Sequence, residues 1–159
     1  MKPYLTCFLF TLFSLFIAAT AGAQPEVQGA MSEKVVVGVS GDKGKKSFEE
    51  LAYRVTGTDT IYTLTYRNSR KSATADLQTI TFSGNGNTLD AFYRLVKTMY
   101  AEESQARSFY KVSAKLGDED LIITAAKDFG TPVALIESKN GAFMLREKNL
   151  DKLFGKNKQ

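Results

Sequence analysis

The sequence predicts an α+β fold, mainly antiparallel sheet, in the order ββββ-α-ββββ-α, with the last helix short and one long helix packed on the sheet. Three observations carry this expectation. Short segments of period-two alternation, rich in Val, Ile, Thr, Tyr and Phe, recur from residue 34 onward. One segment in the middle of the chain, Leu89 to Tyr100, changes to helical spacing. The connectors are short and made of Gly, Asn and Asp, which suits hairpins and not the long crossovers that parallel strands require.

The first strand is expected from Lys34 to Gly41. Val35, Val37 and Val39 alternate with Val36, a pattern that suits a buried strand. Residues 48–55 admit two readings. Ser47 and Glu50 have capping-box spacing for a helix start, whereas Leu51, Tyr53 and Val55 alternate with Ala52 and Arg54 as a strand does. Strand is the preferred reading, and helix stays its rival. Gly57-Thr58-Asp59 turns the chain into a third strand through Tyr62, Leu64 and Tyr66, and Leu77 to Ser83 is a fourth.

Gly84 to Asn87 stops that strand. Leu89, Phe92, Tyr93, Val96 and Tyr100 then form one apolar helical stripe, with Asn87 or Thr88 expected as its cap and Asp90 spaced to pair with Arg94. Four more strands are expected at Phe109–Leu116, Leu121–Ala126, Thr131–Glu137 and Ala142–Arg146. Gly117-Asp118-Glu119 and Asn140-Gly141 supply hairpin turns, the latter suited to two positive φ values. Leu150, Leu153 and Phe154 mark a short closing helix ended by Gly155.

An N-terminal segment of another kind precedes all this. Met1 to Ala23 has one early charge at Lys2, an apolar run from Leu5 to Ala19, and Ala21-Gly22-Ala23 before Gln24. That is the order of a secretory signal peptide, with cleavage expected near Ala23-Gln24. The apolar run is shorter than the roughly 20 residues of a membrane-spanning helix. The expected product is therefore exported, periplasmic or extracellular, with no transmembrane segment in the mature chain. It comprises a flexible leader (24–33), a single α+β domain (34–155) and a basic tail (156–159).

Composition narrows the chemistry. The chain has no His and no Trp, and its one cysteine, Cys7, lies in the signal segment. Tetrahedral N/S metal sites, Ser-His-Asp and Cys-His catalysis are thereby excluded from the mature chain. No cofactor, no metal site and no catalytic residue is expected. Several segments imitate known motifs without completing them. Gly38 to Ser47 approaches a phosphate-binding loop, but five residues separate Gly38 from Gly44, and Lys46 occupies the place of the magnesium-binding hydroxyl. Gly84 to Leu89 lacks the third small residue of a dinucleotide fingerprint. Ser108 and Lys111 have the Ser-x-x-Lys spacing, which brings side chains together on a helix and not on a strand. Asp118-Glu119-Asp120 lacks the spaced oxygen ligands of a calcium loop and reads as a solvated hairpin tip.

Charge placement is more informative. If neighbouring strands run up and down in order, successive loops alternate between two ends of the domain. One end then collects Lys43, Lys45 and Lys46, with Arg67, Arg70 and Lys71, and also Arg107 and Lys127, against Asp42 and Asp128. The other collects Asp59, Asp90, Asp118, Glu119 and Asp120, opposed by Lys139. Lys148, Lys152 and Lys156 of the closing helix and tail add to the basic end. Lys43, Lys45, Lys46, Arg67, Arg70 and Lys71 form the candidate anion-binding set.

The element order resembles the paired four-strands-plus-helix units of Whirly-type and positive-cofactor-type single-stranded DNA binders, together with a short Lys43-Gly44-Lys45. The resemblance implies aromatic stacking in a basic groove, for which Tyr53, Tyr62 and Tyr66 are the candidates. These three share a strand face, and packing under the helix suits them better. The leading expectation is an exported, non-catalytic binding or structural module of a bacterial envelope, whose partner is an anionic surface, a glycan or an envelope protein. A single-stranded nucleic-acid or polyanion binder and a carboxylate-dependent hydrolase are the alternatives.

Overall fold

The structure is a computed structural model and describes residues 32–41, 47–70, 76–108 and 110–156. The signal segment, most of the leader, Phe109 and the last three residues lie outside the described residues. Eight strands are present among those described: β1 (Val35–Gly41), β2 (Phe48–Thr56), β3 (Asp59–Arg67), β4 (Leu77–Gly84), β5 (Lys111–Leu116), β6 (Glu119–Asp128), β7 (Thr131–Ser138) and β8 (Gly141–Arg146). Between β4 and β5 come helix α1 (Gly86–Lys97), a 3₁₀ turn (Thr98–Tyr100) and a short helix α2 (Glu102–Ala106). Helix α3 (Glu147–Leu153) follows β8 directly.

The strands form two antiparallel sheets in the orders β1-β2-β3-β4 and β5-β6-β7-β8, where the sequence pattern suggested one up-and-down run. The chain leaves the first sheet at α1 and starts the second afterwards, so alternation of loop ends holds within each sheet only. One core joins the inner faces. Leu51, Leu64, Tyr66 and Ile80 of the first sheet share it with Ile123, Ile136, Phe143 and Leu145 of the second. The Tyr66 and Phe143 rings stack at 4.4 Å between centroids, and the Tyr66 and Ser138 hydroxyls share a hydrogen bond of 2.9 Å. Packing of sheet on sheet removes the need for a helix to cover a broad apolar face.

Helix α1 accordingly does not lie on one sheet. It rests against β4 and α3, and its Thr88–Leu95 flank borders Ala114 and Leu116 of β5. Phe92 and Val96 are buried as the stripe requires. The N-cap is Asn85 and not Asn87 or Thr88. Asn85 Oδ1 accepts from Thr88 N–H at 3.2 Å, and Thr88 Oγ1 accepts from Asn85 N–H at 3.5 Å, the reciprocal arrangement of a capping box. Helix α2 was not expected, because Glu102-Glu103-Ser104-Gln105-Ala106 has no apolar stripe.

Residues 48–55 are strand, and Glu50 pairs with Lys34 instead of capping a helix. The reading of β1 needs correction. Val36 lies opposite Ala52 but Gly38 opposite Leu51, so Val37 is an extra residue. This bulge puts Val39, opposite Glu50, on the face of Val36. β1 is moreover a sheet edge, and Val35, Val36 and Val39 are exposed. The last turn differs as well. It consists of Lys139 and Asn140, while Gly141 opens β8, where a Cβ would stand 2.7 Å from the Asn68 side chain.

Charge ties α1 to α3. Tyr93 Oη donates to Asp151 at 2.8 Å, Lys97 Nζ donates to Asp151 at 2.9 Å, and Lys97 also meets Glu147 at 3.0 Å. Partial burial works against the Lys97 charge, but these bonds outweigh it and hold the ammonium above the usual lysine range. Burial likewise opposes the Asp151 charge, and Lys97 and Tyr93 outweigh it to hold that carboxyl below its usual value. Asp90, spaced for Arg94, pairs instead with Lys156 at 3.0 Å.

The far end of α3 sits on β1 through glycine. A Cβ at Gly38 would lie 2.1 Å from Lys152 O and 2.6 Å from Leu153 O, both backbone atoms. Gly38→Ala is expected to lower the unfolding free energy by about 1–3 kcal/mol through forced displacement of α3. Gly86, which has open space around its Cβ position, is expected to gain about 0.5 kcal/mol as Gly86→Ala. Urea unfolding of the two variants checks both signs.

Candidate functional site

The end of β1, the start of β2, the second sheet and α3 enclose a groove of about 590 Å³. Gly41 and Ser47 stand on its rim. They are the two roots of the 42–46 loop. Asp128 from β6, Val133 from β7, and Met144 and Arg146 from β8 form one side, and Lys148, Asn149 and Lys152 of α3 form the other. Local sequence explains the α3 side. Leu150 and Leu153 are buried in the core, so helical spacing turns Lys148 and Lys152, four residues apart, to the outside.

The groove is therefore lined by three exposed cations and one carboxylate. Arg146 Nη2 donates to Asp128 Oδ2 at 3.2 Å. Both partners are substantially solvated, so the pair contributes under about 1 kcal/mol and leaves the guanidinium accessible. Val133 and Met144 add an apolar floor, with Val133 buried and Met144 exposed. This arrangement is suited to holding an anion by charge and hydrogen-bond donation.

Of the candidate anion-binding set, Lys43, Lys45, Lys46 and Lys71 lie outside the described residues. Arg67 ends β3, half-buried, and Arg70 lies in the turn that follows. β1 and β3 finish at the same end of the first sheet, because Gly41 faces Phe48 and Glu49 faces Tyr66. That end is laid along β8. Asn68 and Ser69 bond Ala142 at the start of β8, whereas Gly41 and Ser47 approach Met144 and Arg146 at its finish. Four residues of extended strand separate those places by about 13 Å.

Arg70 itself donates to Glu137 at 2.5 Å. Glu137 is two residues from Lys139, whose ammonium pairs with Glu119 at 3.1 Å. A cation assigned to the basic end thus stands beside turns assigned to the acidic one, which follows from the restart of the alternation at α1. Arg146 was missed because it reads as an ordinary strand end. The signal for Lys148 and Lys152 was present in their spacing opposite Leu150 and Leu153.

The aromatic candidates are committed to the core. Tyr66 is completely buried, Tyr62 is buried and stacks on Phe82 at 5.2 Å, and half-buried Tyr53 leans on Tyr62 at 5.9 Å. Tyr62 and Tyr66 share one core with residues of both sheets and with Phe92 and Val96 of α1. The chain matches no family model, no curated protein and no solved structure.

A second group stands out by its energetics. Glu49 is 1% exposed on the core face of β2, with Ser40 and Tyr66 as its cross-strand neighbours. Burial pushes its carboxyl up to about 7, and the Ser40 hydroxyl offsets this only in part. Among the described residues, Glu49 Oε2 has no hydrogen-bond partner. Its cross-strand neighbours are hydroxyl groups, so the facing carboxylates of a hydrolase are not formed across these strands.

Because the folded value lies above the ordinary 4.5, the folded state binds a proton that the unfolded state releases between about 4.5 and about 7. Stability is greatest below that window, falls through it and levels off above it. Glu49→Gln removes this slope. Its stability gain over wild type is expected to be larger at pH 8 than at pH 4 by on the order of 3 kcal/mol. Equal differences at the two pH values, measured by urea unfolding, exclude a buried neutral Glu49.

Proposed function

We propose that the protein is an exported, non-catalytic binding module that takes a multiply charged anion in the groove lined by Gly41, Ser47, β8 and α3. One observation carries the reading. Arg146, Lys148 and Lys152 line a single groove against one carboxylate, Asp128, and Gly41 and Ser47, which flank Lys43, Lys45 and Lys46 in the sequence, line it as well. Cations gathered around one concavity attract phosphate or sulfate esters more strongly than the same charges scattered over a surface. Export rests on the signal-peptide pattern of Met1 to Ala23. Arg67 and Arg70, at the end of β3 and in the turn after it, belong to the reading as a secondary contact, with Lys71 next in the sequence.

A stacking nucleic-acid platform receives less support, since Tyr62 and Tyr66 are buried. The test is retention on immobilised heparin. Lys148→Glu combined with Lys152→Glu is expected to lower the eluting salt concentration markedly, and the wild-type log affinity should fall linearly with log salt. These side chains are exposed, so folding is retained, as circular dichroism will show. Unchanged retention removes the groove as the anion site. Preference for a single-stranded oligonucleotide over heparin at equal salt would favour the nucleic-acid reading instead.

A further inference from the structure

Among the described residues, Phe129 is the least sheltered large apolar side chain, fully exposed at the tip of the β6–β7 turn. Its backbone is unusual as well. Phe129 has a φ of 48° and Gly130 a φ of 80°, so both central residues of the turn are left-handed. Asn-Gly or Asp-Gly fills such turns ordinarily, because a bulky side chain there crowds its own carbonyl. This position thus carries two unfavourable features, an aromatic ring in water and a strained backbone. The ring gains no burial within the described fold that would offset either. A ligand that takes the ring out of water would do so.

The surroundings indicate which ligand. Asp128, next in the chain, pairs with Arg146 and lines the basic groove with Lys148 and Lys152. Exposed Lys127, opposite Pro132, borders the other side of the hairpin, where Glu102 is the nearby acid. Four cations against two carboxylates therefore flank one protruding aromatic. We propose that the hairpin tip docks on an anionic phospholipid bilayer. Phe129 enters the headgroup–acyl boundary while Lys127, Arg146, Lys148 and Lys152 face the lipid phosphates. This deepens the anion-site reading and rests on it.

A protein partner is the weaker fit. Anchor residues of protein interfaces stand within a contiguous patch of about 800 Å² on each side, sealed from water by their neighbours. Phe129 projects alone between Asp128 and Gly130, with Thr131 next. A fluid interface accepts an isolated ring, and aromatic side chains concentrate at that depth. One apolar anchor combined with basic side chains supplies both insertion and charge attraction, the two forces of reversible attachment to an anionic bilayer.

The chain has no Trp, so Phe129→Trp introduces a sole indole reporter. Its emission is expected to shift to the blue, and to be quenched by brominated acyl chains, with phosphatidylglycerol–phosphatidylethanolamine vesicles but not with phosphatidylcholine. Phe129→Gly relieves the left-handed strain, so its melting temperature should be no lower than wild type. Its partitioning onto the same anionic vesicles should fall roughly tenfold or more, with heparin retention unchanged. Water-like emission of F129W on anionic vesicles, or equal partitioning of F129G and wild type, overturns the membrane proposal. Retention on heparin without any vesicle response leaves the anion groove standing, and loss of both removes the two together. A blue shift produced by lipid-free protein and not by vesicles would assign the tip to a protein partner and overturn the proposal.

Discussion

The free edge of β8 is the constraint on which the arrangement depends. As the last strand of the second sheet, β8 presents backbone groups that no further strand pairs, and an open edge invites association with another chain. The turn after β3 closes its start. Asn68 Oδ1 accepts from Ala142 N–H at 3.2 Å, and Ser69 N–H and Oγ both donate to Ala142 O, at 2.7 Å and 2.9 Å. Asn68 Oδ1 also accepts from Arg70 N–H at 3.1 Å, so one buried side chain shapes its own turn and joins the two sheets. Gly141 has to be small for this to happen.

That junction determines where charge gathers. With one end of the first sheet laid along β8, the β1–β2 loop roots arrive at the finish of β8, where α3 begins. Arg146 ends the strand, and the first turns of α3 follow with no connector. The helix is held in turn by Leu150 and Leu153 in the core, by the Lys97–Asp151 pair, and by close backbone contact at Gly38. The cations of the groove are exposed and weakly paired, but they stand on elements whose buried faces are tightly fixed. The groove thereby has a fixed geometry while its cations stay hydrated.

Most of the strands and both apolar-striped helices were legible, because period two and period 3.6 are local properties of side-chain spacing. The details that escaped all involve long-range neighbours. The Val37 bulge answers to α3, more than 100 residues away. Asn140-Gly141 has the composition of a left-handed turn, yet Gly141 serves the approach of Asn68, and the doubly left-handed turn is Phe129-Gly130. Glu49 looks like any charged residue on an alternating strand. Its raised carboxyl value arises because tertiary packing buries that face. For the groove, Lys148 and Lys152 were visible as cations on a closing helix, whereas Asp128 joins Met144 and Arg146 only through the pairing of β6, β7 and β8 within the second sheet.

The linear order of residues determined the eight strands, the amphipathic stripe through Phe92 and Val96, and the absence of histidine-, cysteine- and tryptophan-based chemistry from residue 24 onward. These follow from composition and from periodicities a few residues long. Tertiary structure alone decided that the strands divide into two facing sheets, that the tyrosines belong to their common core, and that the cations of β8 and α3 share a groove with Gly41 and Ser47. Alternation specifies which side of a strand is apolar but not what covers it. That choice is made by shape and by the pairing of a strand edge, which residues distant in sequence supply.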